Sequence, residues 1–329
     1  MKRTIFFKNK PKIIGTSSIA GPKESNGSLK EFIETKLSDD MYGEKTFEKA
    51  ESRMLFTAIK NSIINSKKTA KDVDAIISGD LLNQIIASTF SARNFPCGYL
   101  GVYNACATFT EALTLGATLI DGGYLDTVVC ATSSHFSSAE RQYRYPLELG
   151  CTRPPQSQWT VTGAGASVLS MQGNGPKIIS ATIGKVVDFG VTDANNMGAA
   201  MASAAADTIF NHLNDCGFSS DEYDLIVTGD LGTLGSRIVK DLLWEKGFDV
   251  EKQHVDCGEL IYNICEDEYQ GGSGAGCSSV VFNSYLYQKL REKKLNKILL
   301  VATGALLSSV SSQQGESIPG IAHAVAVEC

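Results

Sequence analysis

Cys106 is the residue in this chain best placed to do chemistry. It lies in Tyr103-Asn104-Ala105-Cys106-Ala107-Thr108-Phe109-Thr110-Glu111-Ala112-Leu113, between an apolar strand-like run (Cys97 to Tyr103, interrupted by Gly98 and Gly101) and a helical pattern starting near Thr108. A thiol at such an elbow faces the unpaired N–H groups of a helix N-terminus, where positive partial charge favours thiolate. The reaction this suggests is attack on an acyl thioester. That reaction also needs a proton carrier and oxyanion donors: His, or His with Asn or a second Cys. Only four histidines are available. His212, in Thr208-Ile209-Phe210-Asn211-His212-Leu213, reads as a solvated helix-face residue. His254 follows the polar Glu251-Lys252-Gln253. His323 sits among Ala322, Ala324 and Val325 and reads as a packed core residue. His135 follows the strand ending at Thr132.

The elements that must position the elbow alternate strand and helix. Ile13 and Ile14 lead into Gly15-Thr16-Ser17-Ser18 as a first strand, and residues 21–43 form a polar, turn-rich excursion. Phe47, Ala50, Met54, Leu55, Ala58, Ile59 and Ile63 recur at helical spacing and predict a helix over 44–65. Val73-Asp74-Ala75-Ile76-Ile77-Ser78-Gly79-Asp80-Leu81 reads as a buried parallel-type strand, followed by a helix over 82–92. After the elbow helix, to about Leu119, Asp126 to Thr132 is another strand. Residues 133–159 read as long and irregular, and Thr162 to Met171 as a strand of small and apolar residues.

The second half repeats the plan. A helix from Met197 to Asn214 leads into Tyr223-Asp224-Leu225-Ile226-Val227-Thr228-Gly229-Asp230-Leu231. That string matches the Asp74 strand at Asp, Gly, Asp and Leu with a constant offset of 150. Val128-Val129-Cys130-Ala131-Thr132 matches Leu299-Leu300-Val301-Ala302-Thr303 at an offset of 171. Ala164 to Leu169 resembles Ala322 to Val327. Three matches in one order predict a duplicated α/β chain, with halves at 1–172 and 173–329 and mixed sheets covered by helices.

Composition narrows the function. Net charge is −6 with no basic block, which argues against nucleic acid and against electrostatic attachment to anionic lipid. The apolar part of the start, Ile5-Phe6-Phe7, is cut off by Lys8, Lys10 and Lys12, so no signal peptide is expected. No run reaches transmembrane length. The nine cysteines are scattered without a C-x-x-C pair and read as reduced thiols rather than a disulfide frame or a zinc site.

A duplicated α/β chain with a Cys between strand and helix resembles the thiolase superfamily, which includes the ketoacyl-ACP synthases. Within it, four strings resemble the stage V sporulation protein AD (SpoVAD) family over nearly the whole chain. They are Gly101-Val102-Tyr103-Asn104-Ala105-Cys106-Ala107-Thr108, Ala139-Glu140-Arg141-Gln142-Tyr143-Arg144-Tyr145-Pro146, Trp159-Thr160-Val161-Thr162-Gly163-Ala164-Gly165-Ala166, and Asp193-Ala194-Asn195-Asn196-Met197-Gly198-Ala199-Ala200-Met201. The resemblance implies a thiolase-like fold, two duplicated halves in a layered α-β-α-β-α sandwich, and a homodimer. It also implies binding of dipicolinate (pyridine-2,6-dicarboxylate), free or as its calcium chelate. The work would be done with the SpoVA membrane proteins, which would hold the chain peripherally at the spore inner membrane, during sporulation and germination. No cofactor or resident metal is implied.

This chain departs from the superfamily where the partners of the thiol should stand. Leu231-Gly232-Thr233-Leu234-Gly235 carries no His. Gly271-Gly272-Ser273-Gly274-Ala275-Gly276-Cys277 carries neither His nor Asn, and Thr303-Gly304-Ala305-Leu306 carries no Cys. Cys106 is therefore a pocket-lining residue, an inert core thiol, or, if the alternative of a thioester-dependent acyltransferase holds, the nucleophile. A planar dicarboxylate needs charge-assisted donors, backbone N–H groups and a flat apolar surface. Candidates are Cys106 and Ala107 at the helix start, Ser133, Ser134 and His135 at a strand's carboxyl end, Arg141 and Arg144 interleaved with Tyr143 and Tyr145, Gly272 and Ser273 in the glycine-rich turn, and Gly304. Each also has a plainer reading. The glycines could mark a tight helix–sheet contact, the serines a capped turn, and the arginines structural or interface ion pairs. Asp193 and Asn195 read as caps of the Met197 helix. A structural adaptor in a membrane complex would need none of these contacts.

Overall fold

The computed structural model describes residues 2–144, 146–150, 152–262 and 269–329. Two sets of five strands build the molecule. The first set is β1 (Lys12–Ala20), β2 (Ala75–Gly79), β3 (Gly98–Gly101), β4 (Thr127–Ser134) and β5 (Gly163–Ser170). The second is β6 (Lys177–Thr182), β7 (Leu225–Thr228), β8 (His254–Asp256), β9 (Lys297–Ala305) and β10 (Gly320–Glu328). The spatial order is β3-β2-β4-β5-β1 in one half and β8-β7-β9-β10-β6 in the other. In each half the first three strands of that order pair in parallel, and the fourth runs antiparallel to both of its neighbours. The halves meet edge to edge through Lys12 opposite Lys177.

The main helices are α1 (Phe47–Asn65), α2 (Ile86–Ala92), α3 (Thr108–Asp121), α4 (Phe136–Tyr143), α5 (Met197–Cys216), α6 (Gly232–Glu245) and α7 (Ala275–Val281). A wider π turn at Phe282–Leu286 carries α7 on into α8 (Tyr287–Arg291). Side chains of a strand alternate between its two faces, and both sheets use this to separate three apolar layers. Val128 and Cys130 of β4, with Ile298 and Leu300 of β9, face a central layer shared with Phe109 and Leu113 of α3 and Phe282 after α7. Val129 and Ala131 face outward onto Met54, Leu55 and Ile59 of α1. Leu299 and Val301 face outward onto Met201, Ala205 and Ile209 of α5. The result is a helix–sheet–helix–sheet–helix stack, with α3 and α7 as the middle layer.

Local chemistry explains several helix ends. The Thr46 side chain accepts the Lys49 N–H at 3.3 Å and caps α1, so the helix starts three residues later than the apolar spacing predicts. Gly217, at φ +68°, ends α5 in the left-handed conformation favoured past a helix end. Residues 133–159 are not irregular throughout, since α4 lies within them. Helix α5 is capped by Asn196, whose side chain accepts the Ala199 N–H, rather than by Asp193 or Asn195. His212 is buried rather than solvated: it faces Thr182 Oγ1 at 2.7 Å and the Tyr223 hydroxyl at 2.6 Å. His254, in spite of its polar neighbours, is buried 3.0 Å from Thr228 Oγ1. The seven cysteines among the described residues are free thiols; Cys151 and Cys265 lie outside them. Among the described residues no helix is long and apolar enough to cross a membrane.

Candidate functional site

The elbow is built where the two halves touch. After β3 the chain turns through Ala105, at φ +48°, a left-handed conformation that a residue with a Cβ adopts at a cost. Local hydrogen bonds hold it: Asn104 N–H donates to Thr108 Oγ1 (3.0 Å), Thr108 Oγ1 donates to Ala105 O (2.6 Å), and Ala107 N–H donates to Asn104 O (3.0 Å). From the other half, Gly304 of β9 presses on the turn. A Cβ there would stand 2.3 Å from Asn104 O.

The environment of Cys106 reverses the expectation from the helix start. The charged group that acts on it most strongly is the Asp230 carboxylate, fully buried just past the end of β7. Asp230 accepts Thr303 Oγ1–H at 2.6 Å and Gly274 N–H at 3.1 Å. Burial first, and then the Asp230 charge, push the Cys106 thiol well above its usual range. Burial also raises the Asp230 carboxyl to about 6, against the hydrogen bonds from Thr303, Cys106 and Gly274. A buried anion outweighs the fractional charge of a helix end, so Cys106 is a neutral thiol. No histidine is among the described residues that line its cavity. His323 is close by on β10 but is engaged elsewhere. Its Nδ1 accepts the Gly184 N–H (3.1 Å), which puts the proton on Nε2, 3.2 Å from the Asn104 amide. Burial lowers His323 to about 4, so it stays uncharged.

The cavity at Cys106 measures about 40 Å³ and is lined by Leu81, Tyr103, Ala105, Cys106, Ala139, Tyr143, Arg144, Thr160, Met197, Ser273, Gly274, Ala305 and Leu307. The Tyr103 and Tyr143 hydroxyls meet at 3.1 Å, and Tyr143 donates to Leu81 O. Arg144, just past α4, is the one cation among the described residues of the lining. Its side chain is 6% exposed and pairs with Glu140, which also takes Arg153 Nη1 at 2.7 Å. Arg144 also lines a second chamber of about 160 Å³ with Phe136, Glu140, Pro146, Leu147, Gly150, Thr152, Arg153, Pro154, Ser157 and Asn195.

Of the residues singled out in the sequence, the structure brings Cys106, Arg144 and Ser273 to the cavity wall. Ala107 starts the helix below it, and Gly304 backs the elbow. The others do not line it. Ser133 Oγ is spent on Glu51 (3.0 Å) and Ser134 Oγ on Val161 O (2.6 Å). His135 caps α4 through Ser137 N–H and bonds Asp40 O at 2.9 Å. Arg141 points to the surface and pairs with Glu48. Gly272 is tied into a two-residue ladder with Trp159. Tyr145 lies outside the described residues. Sequence reasoning missed Asp230 as partner of the thiol, although its match to Asp80 marked it as the end of a duplicated strand.

Comparison with known proteins accounts for this architecture. The family of stage V sporulation protein AD (SpoVAD) matches residues 1–328. The stage V sporulation protein AD of Bacillus subtilis (strain 168) is 44% identical over 328 residues, covering 99% of this chain and 97% of the relative. The chain belongs to the SpoVAD family. As a SpoVAD-family chain it is a sporulation protein with a thiolase-like fold. Among solved structures, 3-oxoacyl-[acyl-carrier-protein] synthase III of Aquifex aeolicus superposes with a TM-score of 0.58 at 17% identity, covering 97% of this chain and 100% of that one. OleA of Xanthomonas campestris, crystallised with cerulenin, superposes with a TM-score of 0.62 at 15% identity, covering 99% and 98%. At such identities the likeness to the condensing enzymes establishes the fold alone. In this SpoVAD-family chain, Asp230 and Gly274 are groups that act on the Cys106 thiol.

Proposed function

We propose that this chain binds dipicolinate, free or as its calcium chelate, without transforming it, and that binding serves movement of the ligand into or out of the spore. One observation carries the reading: the elbow presents a neutral thiol held by a buried carboxylate, while a buried guanidinium, Arg144, faces the same cavity. A thiol kept protonated is a poor nucleophile, whereas a desolvated arginine is suited to a carboxylate. The cavity of about 40 Å³ is far below the roughly 150 Å³ that holds a benzene ring, so Arg144 must move for a planar ring to enter.

Two further parts of the reading concern partners. Among the described residues strand β3 pairs only with β2, and Leu100, Tyr103 and Phe90 are exposed around it, which supports a homodimer formed across that edge. Membrane location follows from contacts with the other SpoVA proteins. Sedimentation of the wild type and Leu100→Asp tests the first: a wild-type monomer ends it.

The test of function pairs two measurements on the wild type. A thermal shift rising with dipicolinate is expected, since a ligand of the native state stabilises it by mass action. Incubation with acyl-CoA followed by peptide mass mapping should leave Cys106 unmodified. An acyl increment on Cys106 with no thermal shift would instead establish the acyltransferase.

A further inference from the structure

The chamber on the far side of Arg144 has walls that the free protein leaves incomplete. Arg144 Nε, Arg153 Nε and Ser157 Oγ are all buried and have no hydrogen-bond partner among the described residues, and all three residues line this chamber. Two guanidiniums face it against one carboxylate, Glu140, which both already share. The excess is one positive charge in a place with little water. Arg153 lies over the stacked rings of Phe136 and Trp159, whose centroids are 3.9 Å apart, and Phe136 and Leu147 supply apolar wall. The volume, about 160 Å³, is that of a cavity that holds one benzene ring.

We propose that this chamber is an anion site for a planar aromatic carboxylate, whose oxygens take the free donors of Arg144, Arg153 and Ser157 while its ring lies along Phe136. The proposal deepens the ligand-binding reading by moving the anion's seat from the Cys106 side of Arg144 to the other side, and it rests on that reading only for the choice of dipicolinate as one probe. Buried donors left unmade are costly, and two close guanidiniums repel; a carboxylate corrects both. Arg153 also donates to Gln158 O, and the Gln158 side chain donates to Asp230 O, so an occupied chamber is joined through two side chains to the main chain of Asp230.

The experiment uses full-length Trp244→Phe protein, in which Trp159 is the one remaining tryptophan. Its emission is followed during titration with benzoate, with dipicolinate and with inorganic phosphate. Saturable quenching by benzoate is expected. Ser157→Ala should weaken it about tenfold with an unchanged Tm, because its Oγ bonds nothing in the free protein. Arg153→Lys, which keeps the charge but loses the fork, should weaken it at least about tenfold. Phosphate should bind more weakly than benzoate. If benzoate does not saturate, or if dipicolinate binds with an affinity that neither variant alters, the chamber is not the site, though the binding function survives in the second case. Phosphate binding as tightly as benzoate would overturn the aromatic class. Variant-sensitive benzoate binding without dipicolinate binding would uphold the chamber and remove the dipicolinate reading.

Discussion

Asp230→Asn probes the electrostatics of the elbow. Burial lifts the Asp230 carboxyl from 3.8 to about 6, so its ionised form costs the fold roughly 3 kcal/mol near pH 7. The folded pKa lies above the unfolded one. The contribution of this group to stability is therefore fully present below about pH 4 and is lost as pH rises through about 6. Asn removes that cost but can serve only one of the two donors, Thr303 Oγ1–H and Gly274 N–H, at the price of about 1 kcal/mol. The variant should be more stable than wild type by about 1–2 kcal/mol near pH 8. It should lose that advantage near pH 4, where the wild-type carboxyl is neutral. Urea unfolding at the two pH values measures the difference. Removing the charge should also speed alkylation of Cys106 by iodoacetamide near pH 8, followed by peptide mass mapping. A wild-type Cys106 that alkylates with a midpoint below that of a free thiol would refute the reasoning, as would a stability difference independent of pH.

Other outcomes follow from the same structure. Glu140→Gln leaves Arg144 and Arg153 buried without their shared carboxylate and should cost about 3–5 kcal/mol in urea unfolding; a loss below about 1 kcal/mol would mean the pair is solvated. Gly304→Ala drives a Cβ to 2.3 Å from Asn104 O and 3.1 Å from Ala107 N, and should destabilise by about 1–3 kcal/mol. Gly150→Ala, where nothing lies within 4 Å and only φ +59° is strained, should cost about 1 kcal/mol or less. Burial lowers His212 to about 4, His254 to about 3 and His323 to about 4. Their folded pKa values lie below the unfolded 6.5, so the stability they contribute is present above pH 6.5 and is lost as pH falls toward 4. His254→Asn should flatten that acid limb when unfolding is followed against pH.

The fold was legible where burial leaves a pattern. The offset of 150 pairs β2 with β7 and the offset of 171 pairs β4 with β9, because strands covered on both faces must be apolar throughout. Helix α4 was not legible: its buried face is Ser138, Ala139 and Glu140, and Glu140 is buried only because two arginines reach it. Arg141 and Arg144 look alike in sequence. One ends on a surface glutamate and the other inside the cavity wall, a choice fixed by where α4 ends. His212 lies among asparagines, so its partners Thr182 and Tyr223, which come from other elements, left no local signal. The state of Cys106 was misjudged for the same reason. The helix start is local and visible, while the carboxylate that overrides it comes from the other half of the chain.

The central claim is that the Arg144 guanidinium, not a Cys106 thiolate, recognises the ligand. Calorimetric titration of dipicolinate into wild type, Cys106→Ala and Arg144→Gln tests it directly, with Tm measured on each protein. The account predicts saturable binding to wild type, an affinity within about threefold for Cys106→Ala, and a loss of at least about tenfold for Arg144→Gln. Binding that survives Arg144→Gln and vanishes with Cys106→Ala would contradict it.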